Sequence, residues 1–252
     1  MTKHVYTNQF FDYIHEGVRP SARALVNSLA LQIRASSVVD FGCGRGLWLE
    51  TWQERGIEDV VGLDGDYVDR ARLAIPASLF LPHDLSKPVS LGRKFDIAQS
   101  LEVAEHIPPD ASEIFIQNLV DHSDCIIFSA AVPGQGGEFH INERPLEYWR
   151  GQFEARGYAA YDYLRPMHYS DTSIKPWYRY NTIVYANEAG AAQLSAAVIN
   201  TRVPEGVAIR DYSSFLWCVR KFVVKSLPVK TVTQIARFRA AVIANRAQRQ
   251  TA

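Results

Sequence analysis

Ser37-Val38-Val39-Asp40-Phe41 runs directly into Gly42-Cys43-Gly44-Arg45-Gly46. A short β-branched run stopped by glycine reads as a buried parallel strand, because a strand covered on both faces has no reason to alternate polar and apolar residues. The glycines that follow permit positive φ and let a ligand approach the backbone closely. Leu47 to Gln53 then reads as a helix ended by Gly56. Strand, glycine turn and helix together predict an open α/β sheet that takes a ligand at its strand ends.

The pattern repeats outward. Asp59-Val60-Val61-Gly62-Leu63-Asp64 predicts a second strand, Leu79 to Leu81 a weak third, Phe95 to Gln99 a fourth and Cys125 to Ser129 a fifth, with a helix over Ala111 to Asp121. Upstream, Phe10, Phe11 and Ile14 predict one helix and Ala22 to Ile33 a second. Downstream, Leu146, Trp149 and Phe153 stand three and four apart, as on a helix that stops at Gly157. Tyr158 to Leu164 and Thr182 to Tyr185 predict the last two strands. Alternating strands and helices imply a parallel sheet with helices on both faces. A boundary is expected near Asn187-Glu188-Ala189-Gly190. It divides a domain over 1–187 from a basic extension over 188–252, with helices at 189–200, 211–226 and 230–247.

The 252 residues suit one large α/β domain with appended elements. No apolar run reaches eighteen residues and the N-terminus lacks a secretory pattern. Three widely spaced cysteines, Cys43, Cys125 and Cys218, suggest neither a disulfide framework nor a thiolate zinc site, which fits a reducing cytoplasm. Eight of the 27 basic residues lie after Asp211, which no acidic residue follows. The body keeps 19 basic against 27 acidic residues. This −8/+8 split predicts that the tail folds back on the body or has a separate task.

A glycine triplet after a strand would equally suit a dinucleotide. Three carboxylates separate the readings. Asp64 ends the second strand, where it can accept hydrogen bonds from both hydroxyls of a ribose. Asp40 precedes the glycines, where it would repel a pyrophosphate but orient a cationic methionine moiety. Asp84, after the third strand, can receive an adenine amino group.

With Gly62-Leu63-Asp64, His83-Asp84-Leu85 and Phe95-Asp96-Ile97-Ala98-Gln99-Ser100-Leu101-Glu102-Val103-Ala104-Glu105-His106, the glycine turn resembles the class I S-adenosylmethionine-dependent methyltransferases, over roughly residues 35–187. The resemblance implies a Rossmann-like seven-stranded sheet, mostly parallel with an antiparallel last strand. It also implies an S-adenosylmethionine site made by Asp40, Gly42, Gly44, Asp64, Asp84, Leu85 and Leu101.

Glu102, Glu105 and His106 follow the fourth strand, beside the expected methyl group. Methyl transfer is an in-line displacement from a sulfonium that needs an aligned acceptor and, for a hydroxyl, removal of a proton. Spacings of three and four would let all three side chains converge if the segment is one helical turn. Glu-x-x-Glu-His also resembles the metal site of the small-RNA 3′-terminal 2′-O-methyltransferases and the matching segment of the ubiquinone-pathway O-methyltransferases. By that resemblance Glu102, Glu105, His106 and His140 hold Mg²⁺ or Mn²⁺, which would lower the pKa of the acceptor hydroxyl. Two other readings stay open: metal-free catalysis with His106 or His140 as base and Glu143 beside it, or a purely structural role.

Ala131 to His140 contains three glycines and reads as a loop that closes over the acceptor or as a plain surface connection. Trp177-Tyr178-Arg179-Tyr180-Asn181 offers aromatic faces to a sugar, or packs in the core. A neutral pI near 7.1 and an acidic body argue against nucleic acid, and DNA is not an expected partner. The favoured expectation is O-methylation of a sugar or oligosaccharide hydroxyl, and the chain resembles methyltransferases of bacterial polysaccharide and glycolipid assembly. An RNA ribose and a small metabolite are the alternative acceptors. A cofactor-binding regulatory protein without turnover is the alternative of another class. Val232, Ile235, Phe238, Val242 and Ile243, interleaved with arginines, predict a basic helix that contacts a membrane surface, a second copy or its own domain.

Overall fold

The computed structural model describes residues 8–228, 230–238 and 242, and the side chains from Gly17 onward. In chain order the elements are α1 (Asn8–Ala30), β1 (Ser37–Phe41), α2 (Leu47–Gln53), β2 (Asp59–Asp64), β3 (Phe80–Pro82), β4 (Ile97–Leu101), α3 (Ser112–His122), β5 (Cys125–Ser129), α4 (Leu146–Glu154), β6 (Ala159–Tyr161), α5 (Leu164–His168), α6 (Pro176–Asn181), β7 (Ile183–Ala186), α7 (Glu188–Ala191), α8 (Ala196–Ile199) and α9 (Phe215–Lys225). A further helix, α10, covers 230–238.

The seven strands form one sheet in the order β3-β2-β1-β4-β5-β7-β6. β1 through β5 pair in parallel, with Val38 opposite both Val60 and Ile97. β7 alone runs against its neighbours β5 and β6. This is the Rossmann-like arrangement expected from the sequence. β1, β4, β5 and β7 are buried along their whole length, as strands covered by helices on both faces must be. One core joins α1 and α2 to a face of the sheet through Leu25, Leu29, Trp52, Val38 and Ile97. The other joins α3 and α4 through Phe115, Leu119, Trp149, Phe153 and Phe128. β1 and β4 lie side by side, yet the chain leaves them on opposite sides of the sheet. Their carboxyl ends therefore open the crevice in which such sheets bind ligands.

Two expectations change. The two N-terminal helices are one. α1 continues through Pro20, because burial of Val18, Ala22, Leu25, Val26 and Leu29 along one face outweighs the lost backbone donor. The sixth strand is only three residues long, and Leu164 instead starts α5, where it is fully buried. The stretch after 187 is bonded to the body: Ile33 bridges Leu194, and Ser195 N–H donates to Gln32 O at 2.8 Å. Arg150 further straps residues 204–207, its guanidinium donating to Pro204 O and Val207 O. Of the expected 230–247 helix, residues 239–241 and 243–247 lie outside the described residues. Among the described residues no helix is long and apolar enough to cross a membrane.

Candidate active site

The crevice is a cavity of about 690 Å³ lined on one side by Gly42, Gly44, Asp64, Asp84, Leu85 and Leu101, six of the seven residues expected to hold cofactor. Gly42 has φ +93°, and a Cβ there would fall 2.3 Å from Val103 Cγ2, so only glycine lets β1 turn beneath the loop after β4. Asp64 fixes the turn by accepting from Gly44 N–H at 2.7 Å with one oxygen, and from Gly65 N–H and Tyr67 O–H at 2.6 Å with the other. Asp84 accepts from Ser86 N–H and O–H. Asp40 stands beneath the turn, 2% exposed, and does not form the cavity wall. Its carboxylate accepts from Gln99 Nε2 at 2.9 Å, and Gln99 is oriented by Trp52 Nε1, which donates to its oxygen. Burial pushes the Asp40 carboxyl up to about 7, against the relief of the Gln99 bond.

The opposite side of the cavity holds the charged cluster. Directly after β4 comes Glu102, whose φ of +59° is left-handed, a conformation uncommon outside glycine and asparagine. This kink, followed by a 3₁₀ turn over Ala104–His106, is how the segment converges, rather than by the single α-helical turn expected. Glu102 is gripped by Gln135 and Asn181, whose side-chain amides donate to its carboxylate, while Asn181 also donates to the Gln135 oxygen. Burial pushes its carboxyl up to about 7. Glu105, 1% exposed, has no hydrogen-bond partner at either oxygen among the described residues. Its carboxyl is held well above the usual range by burial and, secondly, by the charge of Glu102.

Both histidines have their ring orientation set. His106 Nδ1 lies 3.2 Å from Phe139 O, and His140 Nδ1 lies 2.9 Å from Glu143 Oε1. Those oxygens only accept, so each Nδ1 is the donor. His140 Nε2 is 4.0 Å from Glu105 Oε1, and the two rings meet edge-on with centroids 4.9 Å apart. Glu143 is held in turn by the N–H groups of Gly134 and Gly136 at 2.8 and 2.7 Å. Glu105, His106 and His140 each bring a ligand atom within 4.8 Å of the others. Among the described residues they are the group that could hold an ion, and Glu102, bound to its amides, stands outside it.

The glycine-rich loop after β5 is neither open nor merely a connection. It is clamped under the C-terminal helices: Arg220 donates to Gln135 O, and Arg237 pairs with Glu138 at 2.9 Å. Trp217, Arg220 and Val224 of α9 and Val232 and Ile235 of α10 roof the cavity. Trp48, Trp177 and Tyr178 form an aromatic wall, with Trp48 and Tyr178 edge-on at 5.1 Å. Of the expected aromatic segment, Tyr180 and Arg179 turn inward and Arg179 donates to Asp171 O. Gln135 and the roof were not singled out from the sequence. A lone glutamine among glycines, and the spacing of Trp217, Arg220 and Val224, are the signals that carry them.

A methyltransferase-domain family model matches residues 14–162. The chain belongs to this family. It is an S-adenosylmethionine-dependent methyltransferase. No curated protein sequence matches this methyltransferase. Among solved structures it is similar to S-adenosylmethionine-bound CalS10, an amino pentose methyltransferase from Micromonospora echinaspora involved in calicheamicin biosynthesis, with 15% identity and a TM-score of 0.52 over 74% of this chain and 100% of that one. The sugar N-methyltransferase KedS8 from a Streptoalloteichus species gives 16% identity and a TM-score of 0.52 over 74% and 97%. An O-methyltransferase family protein from Burkholderia thailandensis gives 12% and 0.52 over 71% and 58%. At these identities the likeness is one of fold.

Proposed function

We propose that this methyltransferase transfers the methyl group of S-adenosylmethionine to a hydroxyl of a sugar or oligosaccharide. The observation that carries the reading is the grouping of Glu105, His106 and His140 on the cavity wall, whose ligand atoms lie within 4.8 Å of one another. Such a constellation takes up a proton or a cation at the place where an acceptor oxygen needs one removed.

In this reading Asp64 meets the ribose, Asp84 and Leu85 the adenine, and Leu101 borders the methyl-bearing end of the cofactor. Asp40, lying deeper, contributes negative potential under the sulfonium. The aromatic wall of Trp48, Trp177 and Tyr178 supplies apolar faces on which a sugar ring stacks, and Gln135 and Asn181 keep Glu102 from swinging into the acceptor space.

Glu105, His106 and His140 fit a divalent cation, on the grounds that both Glu105 oxygens are buried without partners among the described residues and both imidazoles have Nδ1 tied to an acceptor, as metal-ligating histidines do. Two nitrogen donors favour Mn²⁺ over Mg²⁺. A cation bound there supplies Lewis acidity that lowers the pKa of a hydroxyl. The second reading is metal-free and rests on the hydrogen-bonded pair His140–Glu143, in which Glu143 orients the ring and Nε2 receives the hydroxyl proton.

The test is a methyl-transfer screen over mono- and oligosaccharides, amino sugars included, with Mn²⁺, with Mg²⁺ and with chelator, reading S-adenosylhomocysteine and the methylated atom. Turnover on a sugar hydroxyl is the expected result. Methylation of a sugar amine alone, or of RNA with the steep salt dependence of phosphate binding, rejects the hydroxyl reading.

A further inference from the structure

α9 is a helix with two unlike faces. Trp217, Arg220, Lys221 and Val224, spaced three and four apart, are half-buried and face the glycine-rich loop and the cavity. A Cβ on Gly134 would fall 2.3 Å from Lys221 O, which shows how closely this face sits on the loop. The opposite face carries Phe215, Leu216, Val219, Phe222 and Val223 into solvent, with Phe215, Leu216 and Phe222 at 78–80% exposure. Phe238 of α10 adds another exposed ring, at 74%. Large apolar side chains gathered on one outward face mark a surface made to be covered.

The charge around that face says by what. No acidic residue follows Asp211, and Lys225 and Lys230 are exposed at the end of α9 and the start of α10. We propose that the outer face of α9, with Lys225 and Lys230 at its rim, docks on an anionic lipid surface. The aromatic and aliphatic residues enter the headgroup boundary while the lysines meet lipid phosphate. Among the described residues no helix is long and apolar enough to cross a bilayer, and the proposed contact is a lying-on of α9. The inference concerns the outer face alone and does not depend on which acceptor the cavity takes.

The test is flotation of the full chain with vesicles of phosphatidylcholine alone or mixed with phosphatidylglycerol. The protein is expected to float with the mixed vesicles at low salt, to be released by salt, and to stay behind with phosphatidylcholine alone. The double variant Lys225→Glu/Lys230→Glu should weaken partitioning by about thirtyfold or more, two favourable contacts with the anionic surface being lost. Phe215→Ser/Phe222→Ser should abolish flotation. Both variants should keep wild-type circular dichroism and S-adenosylmethionine affinity, which separates a lost surface from a lost fold. Absence of flotation by the wild type overturns the proposal, as does equal flotation of folded variants. A wild-type dimer in sedimentation that Phe215→Ser/Phe222→Ser dissociates, with no lipid binding, assigns the face to a second copy instead.

Discussion

His140 donates from Nδ1 to Glu143 at 2.9 Å, and the same carboxylate is held by two backbone N–H groups of the glycine-rich loop. Glu143 thus sets both the tautomer of His140 and the path of the loop. Glu143→Gln keeps the shape but loses a symmetric acceptor. We expect kcat to fall about a hundredfold with the affinity for S-adenosylmethionine, read by calorimetry, unchanged. His140→Gln should fall at least as far. Wild-type kcat in Glu143→Gln would remove the pair from the chemistry.

The cation is tested without turnover. Wild-type protein should bind Mn²⁺ in a calorimetric titration, and Glu105→Gln and His106→Ala should each weaken that binding about tenfold or more. Chelator should suppress activity and Mn²⁺ restore it. Undiminished activity in EDTA, together with no heat on adding Mn²⁺, leaves the metal-free pair as the working site.

Asp40 gives stability a pH dependence. Its carboxyl is raised from 3.8 to about 7 in the folded chain by burial, so the folded state holds a proton that the unfolded state releases from about pH 4 upward. Rising pH therefore lowers stability through the window from about 4 to about 7, and the loss is complete above it. The shift corresponds to about 4 kcal/mol at most. Urea midpoints measured across that window should fall in the wild type and fall less steeply in Asp40→Asn. Parallel slopes would show that Asp40 is ionised in the fold.

Gly137 is a sharper probe of His140 than His140 itself. A Cβ at Gly137 would lie 2.1 Å from His140 Nε2, so Gly137→Ala must displace the ring while removing no ionisable group. A misplacement of that order is expected to cost about a hundredfold in kcat. The melting temperature should hold within a few degrees, since the residue is in a loop. Unchanged kcat would mean that the position of Nε2 is immaterial.

β1, β2 and β5 can be read to the residue from the sequence, because strands buried on both faces appear as unbroken apolar runs with glycine or aspartate at their ends. The seven strands and the antiparallel last one came from the family resemblance, and their order only from the structure, since no local pattern states which strands are neighbours. The continuity of α1 through Pro20 was hidden because proline argues locally for a break, and only packing on the sheet decides otherwise. At the site, the carboxylates and histidines are visible as residue types at telling spacings. The amides that hold Glu102 are not, because Gln135 and Asn181 come from a loop and a helix 46 positions apart and meet only in the fold. The half-buried stripe on α9 is in the sequence, but the cavity it roofs is not local to it.

On the proposed reading, Glu102 keeps a backbone conformation that glycine or asparagine would adopt more readily because its charge bears on the buried Glu105 just beyond β4. Selection for a sturdier fold and selection for turnover therefore pull this position in opposite directions. Among descendants of this sequence, drift to Gly or Asn at 102 would mark lineages in which the fold persisted after the reaction was given up.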